Sequence, residues 1–250
     1  MPEPARLDRG DGHHLGYLRR PGEAPQAAPG VMFLGGFASD MGGTKAMHLD
    51  AWAQKAGRAF LRFDYFGHGA SSGAFEDATI SRWRQDALAA LDQLSDGPQI
   101  LVGSSMGGWM ALLAALARPE RVKALVLIAP APDFTEKLMW AGLPFHVKQA
   151  IETEGRWEQP SPHGGKTVIT RALIEDGRRW SILDAPVEIE APVRILQGWR
   201  DPDVPWNHAV RLMEALSGED VELHLSKSGD HRLSGEADLK RLVEVIEALS

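Results

Sequence analysis

The chain has no cysteine among its 250 residues. This excludes a disulfide framework, a thiolate metal site and a cysteine nucleophile, and it suits a reducing compartment. Long hydrophobic runs are missing too. A membrane-spanning helix needs roughly 18 or more consecutive apolar residues. The longest apolar stretch, Trp109–Ala117, is too short and reads as a buried helix. Positive charge is in deficit: 27 Lys and Arg face 34 Asp and Glu, a formal net charge of −7. A general nucleic-acid binder needs a cationic face to displace counterions. Neither nucleic acid nor stable membrane insertion is therefore expected. The segment Met1-Pro2-Glu3-Pro4 lacks a charged n-region followed by an apolar h-region, and Glu3, Asp8 and Asp11 place acid where transit peptides avoid it. The cytoplasm is the expected location. There is no H-E-x-x-H, no P-loop and no G-x-G-x-x-G after the first strand. Neither metal nor cofactor is expected.

Apolar residues make up 44% of the chain and charged residues 24%, an ordinary globular balance, at a length that builds one sizeable core. Short β-rich runs alternate with helical patterns. Strands are expected at Val31–Leu34, Ala59–Phe63, Gln99–Val102, Ala124–Ile128, Val193–Gln197 and Val221–Leu225, with two weaker ones at Ala5–Leu7 and His14–Leu18. Helices are expected at about Thr44–Ala56, Thr79–Leu94, Ser105–Arg118, Trp206–Leu216 and Glu236–Leu249. In the second of these, Ile80, Trp83, Ala87, Leu91 and Leu94 recur at spacings of three and four, giving one buried face. The alternation implies βαβ units and an α/β fold with a mostly parallel sheet of about eight strands. The Pro- and Gly-rich stretch at about 131–190 interrupts the pattern. It reads as a small helical cap inserted into a single domain spanning 1–250.

The strongest chemical signal is Gly103-Ser104-Ser105-Met106-Gly107, a G-x-S-x-G pentapeptide between an expected strand and an expected helix, the context of a nucleophile elbow. So sharp a turn needs residues without side chains two before and two after the serine. Ser105 meets that requirement; Ser104, flanked by Val102 and Met106, does not. The elbow places Ser105 at a helix N-terminus, where free N–H groups favour developing negative charge. The Met106 N–H is one expected oxyanion donor. Leu34-Gly35-Gly36-Phe37 lets the backbone approach a substrate after the first clear strand, which makes the Phe37 N–H the second.

The base is expected to be a histidine. Hydrolases of this architecture run serine, acid, histidine along the chain, and His231 lies in the loop before the last helix. For the acid, Gly198-Trp199-Arg200-Asp201-Pro202-Asp203 follows a strand. Asp201 comes first out of that strand. Asp203 is the alternative, or a cap for the next helix, and Asp133 is a more distant option. Asp230 reads as a loop residue, His68 as a turn former, and His146 and His163 as surface groups of the cap. Trp140, Phe145 and Trp157 are candidates to line an acyl pocket, or else to seal the cap onto the body.

Together these residues resemble the α/β-hydrolase superfamily. The run from Asp96 through Trp109 resembles, more narrowly, the abhydrolase-domain family of the mitochondrial palmitoyl-protein thioesterase, whose animal member also acts as a mycophenolic acid acyl-glucuronide esterase. Similar stretches are Gly43-Thr44-Lys45-Ala46, Arg62-Phe63-Asp64-Tyr65, Asp203-Val204-Pro205-Trp206, Ser228 through Arg232 and Gly155 through Ser161. The resemblance covers most of the chain from about Val31 onward. It implies triad roles for Ser105, Asp201 and His231, and hydrolysis of esters or thioesters, including S-acyl groups on proteins. The expected partner is an acyl ester or thioester, small or protein-borne. Alternatives are a small-molecule carboxylesterase or acyl-glucuronide esterase, cleavage of carbon–carbon or peptide bonds on the same triad, and a hydrolase-like binding module without catalysis.

Overall fold

The computed structural model describes residues 3–23, 28–160 and 166–250. Eight strands form one sheet: β1 (Ala5–Asp8), β2 (His14–Arg20), β3 (Gly30–Leu34), β4 (Phe60–Phe63), β5 (Gln99–Ser104), β6 (Val122–Ile128), β9 (Val193–Gly198) and β10 (Val221–Ser226). Their spatial order is β1-β2-β4-β3-β5-β6-β9-β10. The pairs β1–β2 and β2–β4 are antiparallel. All pairs from β4 across to β10 are parallel, as the alternation of strands and helices required. Residues 24–27, Ser161 and His163 lie outside the described residues.

The central strands β3, β5 and β6 are almost wholly buried because both faces of the sheet are covered there. Side chains alternate across the sheet. On one face Val31, Phe33, Ile100, Val102, Val126 and Ile128 pack with α1 (Thr44–Lys55) and α7 (Glu236–Ala248) through Leu49, Leu242 and Ile246. On the other, Met32, Leu34, Leu101, Leu125, Leu127 and Ile195 meet Trp83 of α2 (Ile80–Leu94), Trp109 of α3 (Met106–Ala117) and Leu212 of α6 (Trp206–Ala215). Thr79 caps α2 by accepting from the Arg82 N–H.

The segment 131–190 holds a π-helical turn (Thr135–Trp140), α4 (Phe145–Glu154), a hairpin of β7 (Arg156–Pro160) and β8 (Lys166–Thr170), and α5 (Arg171–Arg179). The expected helical insertion is there, with a β-hairpin added to its helices. The hairpin's few apolar residues pair with a small local cluster of Val147, Ile151, Ile169 and Ile174, too little to register as a core strand in the sequence. Of two buried carboxylates in this segment, Asp176 joins it to the body and Asp133 ties its two ends together. Asp176 accepts from the Ser81 N–H (2.6 Å) and hydroxyl (2.8 Å) at the start of α2. Asp133, in a left-handed conformation (φ 56°), accepts from the Ser181 hydroxyl (2.6 Å) and from the Ile182 and Leu183 N–H groups (both 2.9 Å). This consumes the carboxylate that the sequence offered as a more distant acid.

Asp133→Ala removes three bonds to a buried charge and places alanine in a left-handed backbone. It is expected to lower the unfolding free energy by about 2–4 kcal/mol in urea titrations, with Asp133→Asn losing less because asparagine tolerates that backbone.

Candidate active site

Ser105 sits where β5 ends and α3 begins, with φ 55° and ψ −118°. This sparsely populated conformation is held by close packing on both sides. A Cβ on Gly103 would lie 2.4 Å from the Gly107 carbonyl oxygen, and one on Gly107 would lie 2.1 Å from that of Leu34. The steric argument for glycine at both positions therefore holds, with backbone as the obstacle. The Ser105 hydroxyl has no hydrogen-bond partner among the described residues.

The loop after β3 crosses the elbow, and Gly36 lies against Ser105 and the Ser104 carbonyl. Neither the Phe37 nor the Met106 N–H donates to an acceptor among the described residues. Two polar residues pin the loop. Asp64 accepts from the Met41 N–H at 2.6 Å and the Ala70 N–H at 2.7 Å. His68 Nε2 accepts from the Ala38 N–H at 3.1 Å, while its Nδ1 meets the Phe66 carbonyl at 3.0 Å. Burial, which outweighs the Phe66 hydrogen bond, pushes the His68 pKa down, so the ring stays neutral with the proton on Nδ1. His68 does more than form the expected turn: it holds the residue after Phe37. The signal for it was a histidine between two glycines, Gly67 and Gly69.

Sheet order brings the remaining groups to the same edge. The ends of β5, β6 and β9 are in register, with Ser104 beside Ile128 and Ile128 beside Leu196. Asp201 is buried at the turn after β9. Its Oδ1 accepts from the Asp203 (2.9 Å) and Val204 (2.8 Å) N–H groups, and its Oδ2 from Gln197 Nε2 at 3.1 Å. His231 Nδ1 lies 2.8 Å from the same Oδ2. Burial raises the Asp201 pKa, but the His231 bond, the two N–H donors and the His231 charge together hold it below the ordinary value. An ionised Asp201 fixes the proton on His231 Nδ1 and leaves Nε2 as the basic nitrogen. Of the two carboxylates it is Asp201 that meets His231. Asp203 is exposed and does not cap α6, whose N-cap is Pro205. Asp201, Asp203 and His231 also present ligand atoms within 4.8 Å of one another, but the Asp201–His231 hydrogen bond already engages two of them.

The candidate pocket aromatics are not gathered around Ser105. Trp140 and Trp157 pack on the insertion's own apolar cluster, and Phe145 is 81% exposed at the start of α4. A different set surrounds the loop after β3: the Phe37 ring meets Phe75 at 5.0 Å, Phe134 at 5.5 Å and Trp83 at 5.8 Å, edge to face. Phe75 and Phe134 come from segments without strong periodicity, so sequence reasoning missed them. His146 stays on the insertion surface, and Asp230 accepts from the Arg232 and Leu233 N–H groups within its own loop.

Residues 25–158 match the Hydrolase_4 family, described as serine aminopeptidase, S33. The chain is 39% identical over 245 residues to the Bos taurus protein named palmitoyl-protein thioesterase ABHD10, mitochondrial, covering 97% of this chain and 78% of that one. Two solved structures are similar. A putative hydrolase from Agrobacterium vitis S4 is 42% identical with a TM-score of 0.92, covering 98% of this chain and 97% of that chain. The α/β hydrolase domain-containing protein 10 from mouse is 37% identical with a TM-score of 0.89, covering 99% and 98%. These relatives correct the expected cytoplasmic location, because the curated proteins similar over nearly the whole chain are named mitochondrial. Composition and an acidic first turn do not encode a compartment.

Asp201→Asn is expected to lower kcat on a p-nitrophenyl ester by about 10³–10⁴-fold, since the amide favours the wrong histidine tautomer. Asp203→Asn is expected to stay within about threefold, as for an exposed side chain away from the hydrogen-bond network.

Proposed function

This chain belongs to the serine aminopeptidase S33 family of α/β-hydrolases, and from that premise we propose that Ser105, His231 and Asp201 act as nucleophile, base and acid in hydrolysis of acyl esters and thioesters. The enzyme is a serine hydrolase. The observation that carries the triad assignment is the 2.8 Å contact from His231 Nδ1 to a buried carboxylate that is itself held by three further donors. It serves a serine on a strained elbow whose hydroxyl has no hydrogen-bond partner among the described residues.

In the first step His231 Nε2 takes the Ser105 proton as Oγ bonds to the acyl carbon. The carbonyl electrons move onto oxygen, and the Phe37 and Met106 N–H groups receive that charge. Free, preorganised donors at a helix N-terminus suit this role, and each such donor is typically worth about 10²–10³ in rate. The tetrahedral intermediate then collapses, and the leaving alcohol or thiol takes its proton from His231. Water delivers its proton to His231 and attacks the acyl-enzyme, and the carboxylic acid departs as Ser105 regains a proton. Asp201 stabilises the imidazolium throughout without becoming protonated.

The substrate class is an acyl thioester with a long apolar chain, including S-acylated protein. Two features support it: the thioesterase name carried by relatives similar over 97% of the chain, and the ring cluster of Phe37, Phe75 and Phe134 beside the oxyanion loop. Residues 131–190 act as the cap that sets acyl choice within one domain.

Rates across matched oxygen esters and thioesters, with acyl chains from two to sixteen carbons, test this. A kcat/KM that rises toward long thioesters and vanishes in Ser105→Ala is expected. Preference for short oxygen esters would point instead to a small-molecule carboxylesterase. Turnover that survives Ser105→Ala, or no labelling of Ser105 by a fluorophosphonate, sinks the triad.

A further inference from the structure

Lys45 occupies a place that costs the fold stability. It is the second residue of α1, at the helix N-terminus, where the backbone dipole disfavours a cation. It is also half-buried, and no acidic residue lies in the first turn of α1 to offset it. Its ammonium donates to the carbonyl of Arg232, a residue 187 positions away and next to His231. Residues that work against stability yet make a specific long-range bond beside a reacting group are candidates for a functional role.

The loop it touches is held at several other points. The Gly229 carbonyl accepts from the Arg200 N–H at 2.9 Å. A Cβ on Gly198 would lie 2.4 Å from the Asp230 carbonyl oxygen, so the acid loop and the base loop are packed backbone to backbone. The Asp230 carboxylate accepts the Arg232 and Leu233 N–H groups, both at 3.0 Å, and Ser234 donates to the Arg232 carbonyl at 3.0 Å. Leu233 is buried in a left-handed backbone at φ 43°. These ties join the base loop to itself and to the acid loop. The Lys45 bond joins it to the helix that follows the oxyanion loop.

We propose that Lys45 is a positioning residue: by holding the Arg232 carbonyl it sets His231 at the correct distance from Ser105 and from the loop that carries Phe37. The proposal rests on the triad reading above. The bond is charge-assisted, and such bonds are roughly twice as strong as neutral ones. The groups facing the ammonium are Asp230 and Arg232 of the base loop and Asp238 of α7. Burial, with Arg232 adding to it, pushes the Lys45 pKa down to about 8 against the opposing pull of Asp230 and Asp238. The lysine is therefore charged below that pH and becomes a neutral, weaker donor as pH rises through it. Catalysis is expected to lose efficiency over the same interval.

The test is kcat and KM for p-nitrophenyl butyrate across pH 6 to 10, with fluorophosphonate labelling and melting temperature, for wild type, Lys45→Arg, Lys45→Met and Ser105→Ala. Wild type should show a descending limb near pH 8. Lys45→Arg should retain near-wild-type kcat at pH 7 and move the limb above the measured range, since guanidinium does not deprotonate there. Lys45→Met should lose the limb and fall about tenfold in kcat with KM changed less than about twofold, since a misplaced base costs rate rather than binding. Its melting temperature should equal or exceed that of wild type. Wild-type kcat and an unchanged limb in Lys45→Met overturn the proposal, as does a kcat loss that only follows a lowered melting temperature. Absence of Ser105-dependent turnover in wild type overturns the triad reading itself, a result distinct from either.

Discussion

Between Gly107 and the Leu34 carbonyl there is room for a hydrogen and none for a methyl group. That contact, with its counterpart between Gly103 and the Gly107 carbonyl, lets α3 start directly against the ends of β3 and β5. Everything at the site depends on it. The close approach holds Ser105 in its unusual backbone conformation. It aims the first amides of α3 outward and brings the loop after β3 over the serine. A bulkier residue at either position separates strand from helix and misplaces Ser105 and the Phe37 and Met106 N–H groups at once.

Around this fixed point the polar groups are arranged by burial. His68 and Asp201 are both removed from water, with opposite results. His68 meets one acceptor and one donor of the backbone, so the uncharged ring satisfies both. Asp201 meets only donors, so it stays ionised. The same solvent exclusion thus yields a neutral brace for one loop and a charged anchor for another. What decides is the polarity of the partners each side chain finds.

The insertion is built on a different principle. Its own apolar cluster is small, and an isolated cluster of that size does not hold a fold together. Beyond that cluster, Phe134, Leu173 and Leu183 pack into the main core, Asp133 ties the two ends of the segment together through Ser181, Ile182 and Leu183, and Asp176 links it to Ser81 at the start of α2. Tethers at a few points leave the surface between them free to vary.

Local rules were enough to read the sheet strands, the five helices that flank the sheet and the elbow. Strand and helix periodicities are short-range, and a turn as sharp as that at Ser105 admits glycine alone at its flanks. The order serine, acid, histidine also brought Asp201 and His231 into view. The sequence favoured Asp201 over Asp203 by its place first out of the strand, but both lie in one loop and only the packing shows which turns inward. It missed the β7–β8 hairpin, whose stability comes from the insertion's local cluster rather than from a strong alternating pattern. His68 looked like a turn former, and Lys45 like part of a helix start. Their partners, the amide of Ala38 and the carbonyl of Arg232, are 30 and 187 residues away. Composition also misled on compartment, since it describes solubility and not an address. The sequence by itself determined where the sheet strands and the helices flanking them begin and which residue types the reaction needs. Only the tertiary structure decided which of them meet, because hydrogen-bond partners far apart in the chain are chosen by packing and burial.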